Sequence, residues 1–145
     1  MAYDHPDAVL LIEQVQQEYV VRYGGRDRDS VDPAQFAPPL GLFLVGYLDG
    51  VPVACGGWRS QEPRTVEVKR MYVVPSARGR GLARAMLAEL EYAARRAGHR
   101  RLILQTGSRQ PEAVALYRSS GYGDIPKFGY YATFPRSIHL GKSMD

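Results

Sequence analysis

The segment VVPSARGRGLARAML, residues 73–87, combines residue types that could bind a phosphorylated ligand. Between a hydrophobic run and a helix-like segment it holds two glycines and three arginines: Gly79, Gly81, Arg78, Arg80 and Arg84. The first amide N–H groups of a helix have no partner inside the helix, and the helix dipole adds about half a positive charge there. Because glycine has no Cβ, a ligand can approach the backbone closely. The segment therefore predicts an anion site at the N-terminus of a helix.

Several kinds of site share this description, and the residues distinguish between them. A dinucleotide-binding fingerprint has glycine or alanine where this chain has Arg84, and a P-loop ends in Gly-Lys-Ser/Thr, which is absent here. A nucleic-acid surface would spread arginines along a continuous face, whereas four of them cluster at one helix end beside Glu91: Arg95, Arg96, Arg100 and Arg101. We therefore expect no nucleic-acid partner. A structural turn with solvated arginines is the alternative to an anion site.

The composition is that of one globular domain over residues 1–145. With 45% hydrophobic and 23% charged residues, the chain can bury a sizeable core, and its net charge of +4 weakly favours an anionic ligand. Cys55 is the only cysteine, which excludes an intrachain disulfide, and no secretory leader is evident, so we expect a cytoplasmic protein. No apolar run approaches the ~18 residues that span a bilayer, and the histidines lack metal-ligand spacing. We expect neither a membrane partner nor a metal.

Hydrophobic periodicity predicts the order α–β–β–β–α–β–α–β, a mixed sheet flanked by helices. Asp49-Gly50 lies between two apolar runs and predicts a hairpin turn. Residues 24–40 are polar and proline-rich and predict a long loop. The predicted elements are a helix over 7–22, strands over 42–48, 51–58 and 65–74, a helix over 79–97, a strand over 101–106, a helix from 111 that ends before 121, and one or two strands within 122–145.

Two blocks of the chain resemble the GNAT superfamily of acyltransferases. Residues 78–83, RGRGLA, match its Arg/Gln-x-x-Gly-x-Gly/Ala signature, and the strand EVKRMYVV followed by Val74-Pro75 is similar to the family's usual approach to that turn. About thirty residues further on, QPEAVALYRSSGY resembles the family's second block, Asn-x-x-Ala-x-x-Leu-Tyr-x-x-x-Gly-Phe. The resemblance covers roughly residues 42–123 together with the N-terminal helix.

The resemblance implies an α/β (α+β) fold, with a mixed, mostly antiparallel central sheet flanked by helices and with splayed central strands. It also implies that acetyl-CoA places its pyrophosphate on the amides of the turn and its pantetheine arm beside the strand that precedes the turn. A backbone N–H near Met71 or Tyr72 would stabilise the oxyanion. Gln110 stands where the family often has asparagine. The implied cofactor-binding residues are Met71, Tyr72, Val73, Arg78, Gly79, Arg80, Gly81, Leu82, Ala83, Arg84 and Gln110.

Two residues are candidates for proton transfer. A free lysine-like amine has a pKa of about 10.4, so a positioned base, often acting through water, must take its proton. Glu67 lies eleven residues before Arg78, where some GNAT enzymes have a base glutamate; alternatively, it pairs with Lys69 or Arg64 as a strand residue. Tyr117 aligns with the tyrosine of the family's second block, which resembles the acid that protonates the leaving thiolate; alternatively, it packs in the core.

The resemblance thus implies an N-acetyltransferase in which a primary amine attacks acetyl-CoA directly. Without a long acidic or peptide-binding insertion, a small-molecule acceptor is favoured over a protein lysine or N-terminus. A non-catalytic acyl-CoA-binding or sensing domain is the alternative from another class. We expect the loop of residues 24–40 and an aromatic cluster in the tail to wall the acceptor pocket: Phe128, Tyr130, Tyr131 and Phe134. Dimers are frequent in the family, so a homodimer agrees with the resemblance.

Overall fold

The computed structural model describes residues 1–29 and 31–144. Residues 30 and 145, which belong to the predicted loop and the predicted tail, lie outside them. The described part of the chain folds into three helices and six strands. In chain order these are α1 Pro6–Tyr23, β1 Gly41–Leu48, β2 Val51–Glu62, β3 Thr65–Val73, α2 Leu82–Arg96, β4 Arg101–Gly107, α3 Pro111–Ser119, β5 Gly123–Asp124 and β6 Ser137–Ser143.

The strands form one sheet in the order β1-β2-β3-β4-β6-β5. Every neighbouring pair is antiparallel except β3 and β4, which run parallel because α2 connects them across a face of the sheet. This parallel pairing is short: it joins residues 65–68 to residues 101–104 and stops there. Beyond it the two strands separate, as the resemblance implied, and the predicted fold class is confirmed.

Helices cover both faces of the sheet. On one face α2 and α3 bury Met86, Leu87 and Leu90 together with Tyr117. On the other face α1 packs Leu11 and its neighbours against Phe43 and Tyr72. The periodic apolar stripe of α1 predicted from the sequence is the side that the structure buries.

Two predicted boundaries differ from the observed ones by more than one residue. The predicted helix over 79–97 begins only at Leu82, because Gly79 and Gly81 have φ angles of 82° and 76° and cannot belong to a right-handed helix. The predicted strand over 51–58 continues to Glu62, since its polar end still pairs with β3 although its apolar run stops at Trp58. The loop over 24–40 contains one short 3-10 turn, Pro33–Phe36. The tail forms two strands, β5 and β6.

Candidate active site

The turn before α2 presents a series of unpaired backbone amides. In the described part of the chain, the N–H groups of residues 79–84 donate no hydrogen bond, and Gly81 caps α2 without a side-chain partner. A Cβ built on Gly79 or Gly81 would meet no atom within 4 Å, so both positions face open space. Six consecutive amides at the positive end of a 15-residue helix form a site for a multiply charged anion.

Two of the three arginines around this turn are tied to the protein. Arg78 donates from Nε to the carbonyl oxygen of Val73 at 2.9 Å and from Nη2 to Glu18 at 2.9 Å. Arg84 donates to two hydroxyls at the C-terminal end of α3, those of Ser119 and Ser120. Arg80 is exposed and forms no ion pair within the described residues. The arginines therefore fix the turn as well as adding charge to it.

One edge of β3 is open where β4 departs. The N–H of Val74 donates to the carbonyl of Val53 in β2 at 2.9 Å. Because successive residues of a strand alternate their hydrogen-bonding direction, the N–H groups of Met71 and Val73 face the opposite edge, toward the gap. The backbone at the predicted pantetheine positions is thus directed into the gap, whereas the ring of Tyr72 is buried under the cation of Arg78.

The separation of β3 from β4 opens a cavity of about 510 Å³. Its walls include the end of α1 and the loop after it, residues 23–28, together with residues 68–70 of β3, residues 105–107 of β4 and residues 134–137 of the tail. Tyr130 and Tyr131 complete the tail side. The segments predicted to wall an acceptor pocket, the loop and the aromatic tail, are both brought to the gap between the splayed strands.

Opposite charges form a cluster in the wall of this cavity. Asp27 accepts from Arg70 and Lys69 on Oδ2, and on Oδ1 it accepts from the Tyr131 hydroxyl at 2.6 Å and the Asp29 N–H at 3.0 Å. Burial opposes ionisation, but the two cations and the hydrogen bond from Tyr131 outweigh it and hold the pKa of the Asp27 carboxyl well below its usual value. Asp27 is therefore a carboxylate whose two oxygens are both occupied.

Glu67 lies behind this cluster rather than in the main cavity. Its Oε1 accepts from Arg59 Nε at 3.0 Å and from Gln61 Nε2 at 2.5 Å, so its ion-pair partner is Arg59 rather than the predicted Lys69 or Arg64. It borders a smaller cavity of about 90 Å³. Gln105, Tyr130 and Tyr131 line both cavities, which makes the two spaces neighbours. A volume of this size has room for a few water molecules among polar groups.

Tyr117 is a core residue of α3 with a free hydroxyl. Its ring packs edge-to-face on Tyr122, with 5.9 Å between ring centroids, and burial raises the pKa of its phenol. Within the described residues the hydroxyl makes no hydrogen bond. The pKa of Tyr19, which lines the main cavity, is raised chiefly by burial, against the lowering effect of Arg70, with smaller contributions from Asp27 and then from Tyr117. The packing role and a free proton donor near the cavity therefore coexist in one side chain.

Gln110 lies at the other end of the gap, where it caps the N-terminus of α3. Its Oε1 accepts a hydrogen bond from the Tyr23 hydroxyl at 3.1 Å. A Cβ on Gly107 would lie 2.1 Å from that hydroxyl oxygen, so the glycine makes room for the Tyr23 ring. The extra methylene of glutamine relative to asparagine is accommodated here by a contact with α1.

Asp27 and Arg70 carry no signal in the sequence, and Lys69 was expected only as a possible partner of Glu67. Asp27 was one of several charged residues in a polar loop, with nothing to mark it. Lys69 and Arg70 are adjacent in a strand, and regular alternation would direct them to opposite faces of the sheet. The structure unites them because Arg70 has a φ of 62° at a bulge, which the sequence pattern did not predict.

Comparison with known proteins agrees with this geometry. The model of the Acetyltransferase (GNAT) family matches residues 11–122. A protein of Azospirillum brasilense named IAA acetyltransferase is 37% identical over 140 residues, which cover 95% of this chain and 92% of that protein. Among the described residues, no helix has the length and apolarity needed to cross a membrane.

Solved structures with the same fold include two acyltransferases. One is described as an acyl-CoA N-acyltransferase of Klebsiella pneumoniae; it is 29% identical, with a TM-score of 0.82 over 100% of this chain and 94% of that one. The other is an acetyltransferase of Salmonella typhimurium with its cofactor acetyl-CoA; it is 22% identical, with a TM-score of 0.67 over 96% of this chain and 89% of that one. At 22% identity, the likeness to the Salmonella protein shows a shared fold and nothing more.

Proposed function

The chain belongs to the acetyltransferase (GNAT) family, and we propose that it is a single-domain enzyme that transfers the acetyl group of acetyl-CoA to a primary amine of a small molecule. The observation that supports this most strongly is the row of six unpaired amides at residues 79–84, which follow β3, the strand whose residues 68–70 line the cavity. An anion site and a cavity on the same strand suit a ligand with a pyrophosphate and a reactive tail. The cavity volume of about 510 Å³, in the range of small-molecule pockets, and the name of the Azospirillum relative favour a small acceptor.

In this proposal the backbone binds the donor. The pyrophosphate accepts from the amides of residues 79–84, while the pantetheine arm pairs with the open edge of β3 at Met71 and Val73 and reaches Gln110 on the far side. The thioester then lies in the gap, where the N–H of Met71 is a donor for the oxyanion. No metal is needed for any of these contacts.

The reaction is a direct exchange of one bond for another. The amine nitrogen attacks the thioester carbonyl, a C–N bond forms, and the C–S bond breaks, so an N-acetyl product and the thiol of CoA leave. Two potential nucleophiles near the gap already form hydrogen bonds within the protein, which supports direct attack by the amine on the thioester. Cys55 is fully buried with its thiol donating to the Arg70 carbonyl at 3.2 Å, and the Ser137 hydroxyl donates to backbone carbonyls of the tail.

We assign the base to Glu67, acting through water in the smaller cavity, and the acid to Tyr117. Glu67 does not line the main cavity and so does not touch an acceptor there, but the smaller cavity of about 90 Å³ beside it adjoins the main one. The phenol of Tyr117 stays protonated at neutral pH because burial raises its pKa. Its hydroxyl, unengaged within the described residues, is available to donate to the departing thiolate.

The test of the function is release of CoA thiol from acetyl-CoA in the presence of a panel of amines. We expect turnover on at least one small amine, whereas binding of acetyl-CoA without turnover on any amine would favour the sensing domain. Turnover confined to peptides would favour a protein acetyltransferase.

The test of the acid is Tyr117→Phe, which should lower kcat by about 10- to 1000-fold and leave the KM for acetyl-CoA nearly unchanged. Tyr92→Phe is a matched control, because Tyr92 is exposed on α2 and bonded only to Arg96. Equal rates for the two variants would remove Tyr117 as the acid. For the base, Glu67→Gln should lower kcat by about 100- to 10,000-fold and leave the KM for acetyl-CoA nearly unchanged. A kcat close to that of the wild type would assign the base elsewhere.

A further inference from the structure

The cavity between β3 and β4 carries far more positive than negative side chains. The only carboxylate among its described lining residues is Asp27, against six cations: Arg26, Arg28, Lys69, Arg70, Arg109 and Arg136. From this imbalance we propose that the acceptor amine also carries a carboxylate, as an amino acid does, and that Arg28 and Arg136 bind it. The inference rests on the proposed function, because it names the substrate class of that same site.

Half of these cations already have carboxylate partners. Arg26 pairs with Glu13, while Lys69 and Arg70 pair with Asp27, and Lys69 also with Asp29. The charge of these three is therefore balanced inside the protein. They shape the wall of the cavity, but they do not by themselves require an anionic ligand.

The other three cations lack a carboxylate partner within the described residues. Arg109 donates to the carbonyl of Arg22 at 3.0 Å, which leaves its charge uncompensated. To the residues that the structure describes, Arg28 and Arg136 donate no side-chain hydrogen bond, although their backbones are anchored: the Arg28 N–H donates to the Tyr131 hydroxyl, and the Arg136 carbonyl accepts from the Ser108 N–H. Two guanidinium groups on anchored backbones keep their donor forks available for a planar carboxylate.

The same cavity offers nothing to a second positive charge on the acceptor. Asp27 already accepts four hydrogen bonds or ion-pair contacts, two on each oxygen. An additional ammonium would have to displace Lys69 or Arg70 from it and leave a buried cation unpaired, which is costly. The charge distribution thus disfavours polyamines and other polycationic acceptors.

These positive charges are also separate from the proposed pyrophosphate-binding site. The turn of residues 79–84 does not line the cavity, whereas Arg28, on the loop after α1, and Arg136, on the tail, do. Their field has a chemical consequence as well. Nearby positive charge lowers the pKa of the acceptor ammonium, so a larger fraction of the acceptor is present as the neutral nucleophile.

The experiment compares acceptors that differ only in charge: amino acids, the matching amino acid amides, aminoalkylphosphonates and spermidine. We expect amino acids to exceed their amides by at least about tenfold in kcat/KM, since hydrogen bonds to charged groups are the stronger ones. Arg28→Gln and Arg136→Gln should each raise the KM for the amino acid about tenfold and leave the KM for acetyl-CoA unchanged. Arg95→Gln is the control, because Arg95 is exposed on α2 and remote from the cavity.

Amides or spermidine that react as well as the acids would overturn the proposal, and so would variants that raise the KM for acetyl-CoA instead. A clear preference for phosphonates would replace the carboxylate by a phosphate-type anion and overturn the amino-acid class. A second readout does not depend on turnover: calorimetric binding of N-acetyl amino acids against N-acetyl amino acid amides. Selective binding of the acids without turnover on any amine would refute the proposed function and support this inference. Equal or absent binding of both would refute the inference.

Discussion

The most direct test of the proposed pyrophosphate site at residues 79–84 is Gly81→Ala, which adds one methyl group. Gly81 has a φ of 76° and a Cβ there would meet no protein atom within 4 Å. The methyl group therefore causes no steric clash in the free protein. It does intrude on the open space above the amides of residues 79–84, where the pyrophosphate is proposed to bind.

The cost in stability follows from the backbone conformation. An L-residue in the left-handed region costs about 1–2 kcal/mol, partly offset by the lower entropy of the unfolded alanine chain. A net loss of about 1 kcal/mol in a chain of this length lowers Tm by roughly 3 °C. The variant should therefore stay folded and can be assayed at 25 °C.

Gly98→Ala is a matched control at the other end of the same helix. Gly98 has a φ of 92° and an equally empty Cβ position, so its loss of stability should be similar. Only Gly81→Ala should raise the KM for acetyl-CoA, by about tenfold or more, with kcat at saturating acetyl-CoA nearly unchanged. Steady-state kinetics and thermal unfolding by circular dichroism measure both effects. If Gly81→Ala and Gly98→Ala have the same KM for acetyl-CoA, the pyrophosphate does not bind at this turn.

Two further predictions concern the buried groups near the gap. Asp27→Asn should lower the free energy of unfolding by about 3 kcal/mol and Tm by roughly 10 °C, because it leaves the Arg70 cation buried without a carboxylate. Asp124→Asn, which breaks an exposed ion pair with Arg118, should leave Tm unchanged. Equal decreases in Tm for Asp27→Asn and Asp124→Asn would refute the reasoning. The pKa of Asp27 is lower in the folded than in the unfolded protein, so its contribution to the free energy of unfolding is present above the unfolded value of about 3.9. The difference in Tm between wild type and Asp27→Asn should therefore become smaller below that pH. Burial raises the pKa of the Cys55 thiol to about 12, so an aromatic disulfide reagent should label it only after unfolding, and rapid labelling of the native protein would contradict this.

The elements were predictable because each has a local signal. The apolar periodicity of α1, the Asp49-Gly50 turn and the β-branched run of β3 each follow from a few neighbouring residues. Glycine patterns were also informative: Gly79 and Gly81 mark the turn, although their positive φ angles shorten the helix that follows. The donor side of the site is backbone geometry in one turn, and for this reason a six-residue pattern was enough to predict it.

The acceptor side could not be predicted in the same way, because distant segments assemble it. Asp27 meets Lys69 and Arg70 across about forty residues of chain, and Tyr131, which contacts Asp27 from the tail, lies 104 positions further along the chain. No periodicity encodes such contacts. Glu67 shows the same limit: its position on β3 was foreseen, but its partner Arg59 depends on the register between β2 and β3.

A single irregularity in β3 lies where the gap opens and places two of the six cations in the wall of the cavity. Arg70 adopts a left-handed φ of 62°, a strained conformation for a non-glycine residue, and pairing with β4 ends two residues earlier, at Val68. The bulge brings the consecutive side chains of Lys69 and Arg70 to the same carboxylate, which a regular strand would prevent. The opposite strand has Gly56 at this point, where a Cβ would lie 2.7 Å from the sulfur of Met71. The ion pair of Arg70 with Asp27 and the hydrogen bond that its Nε donates to the Tyr3 hydroxyl hold the side chain of this strained residue in place. The same distortion places two cations in the wall of the cavity between the strands.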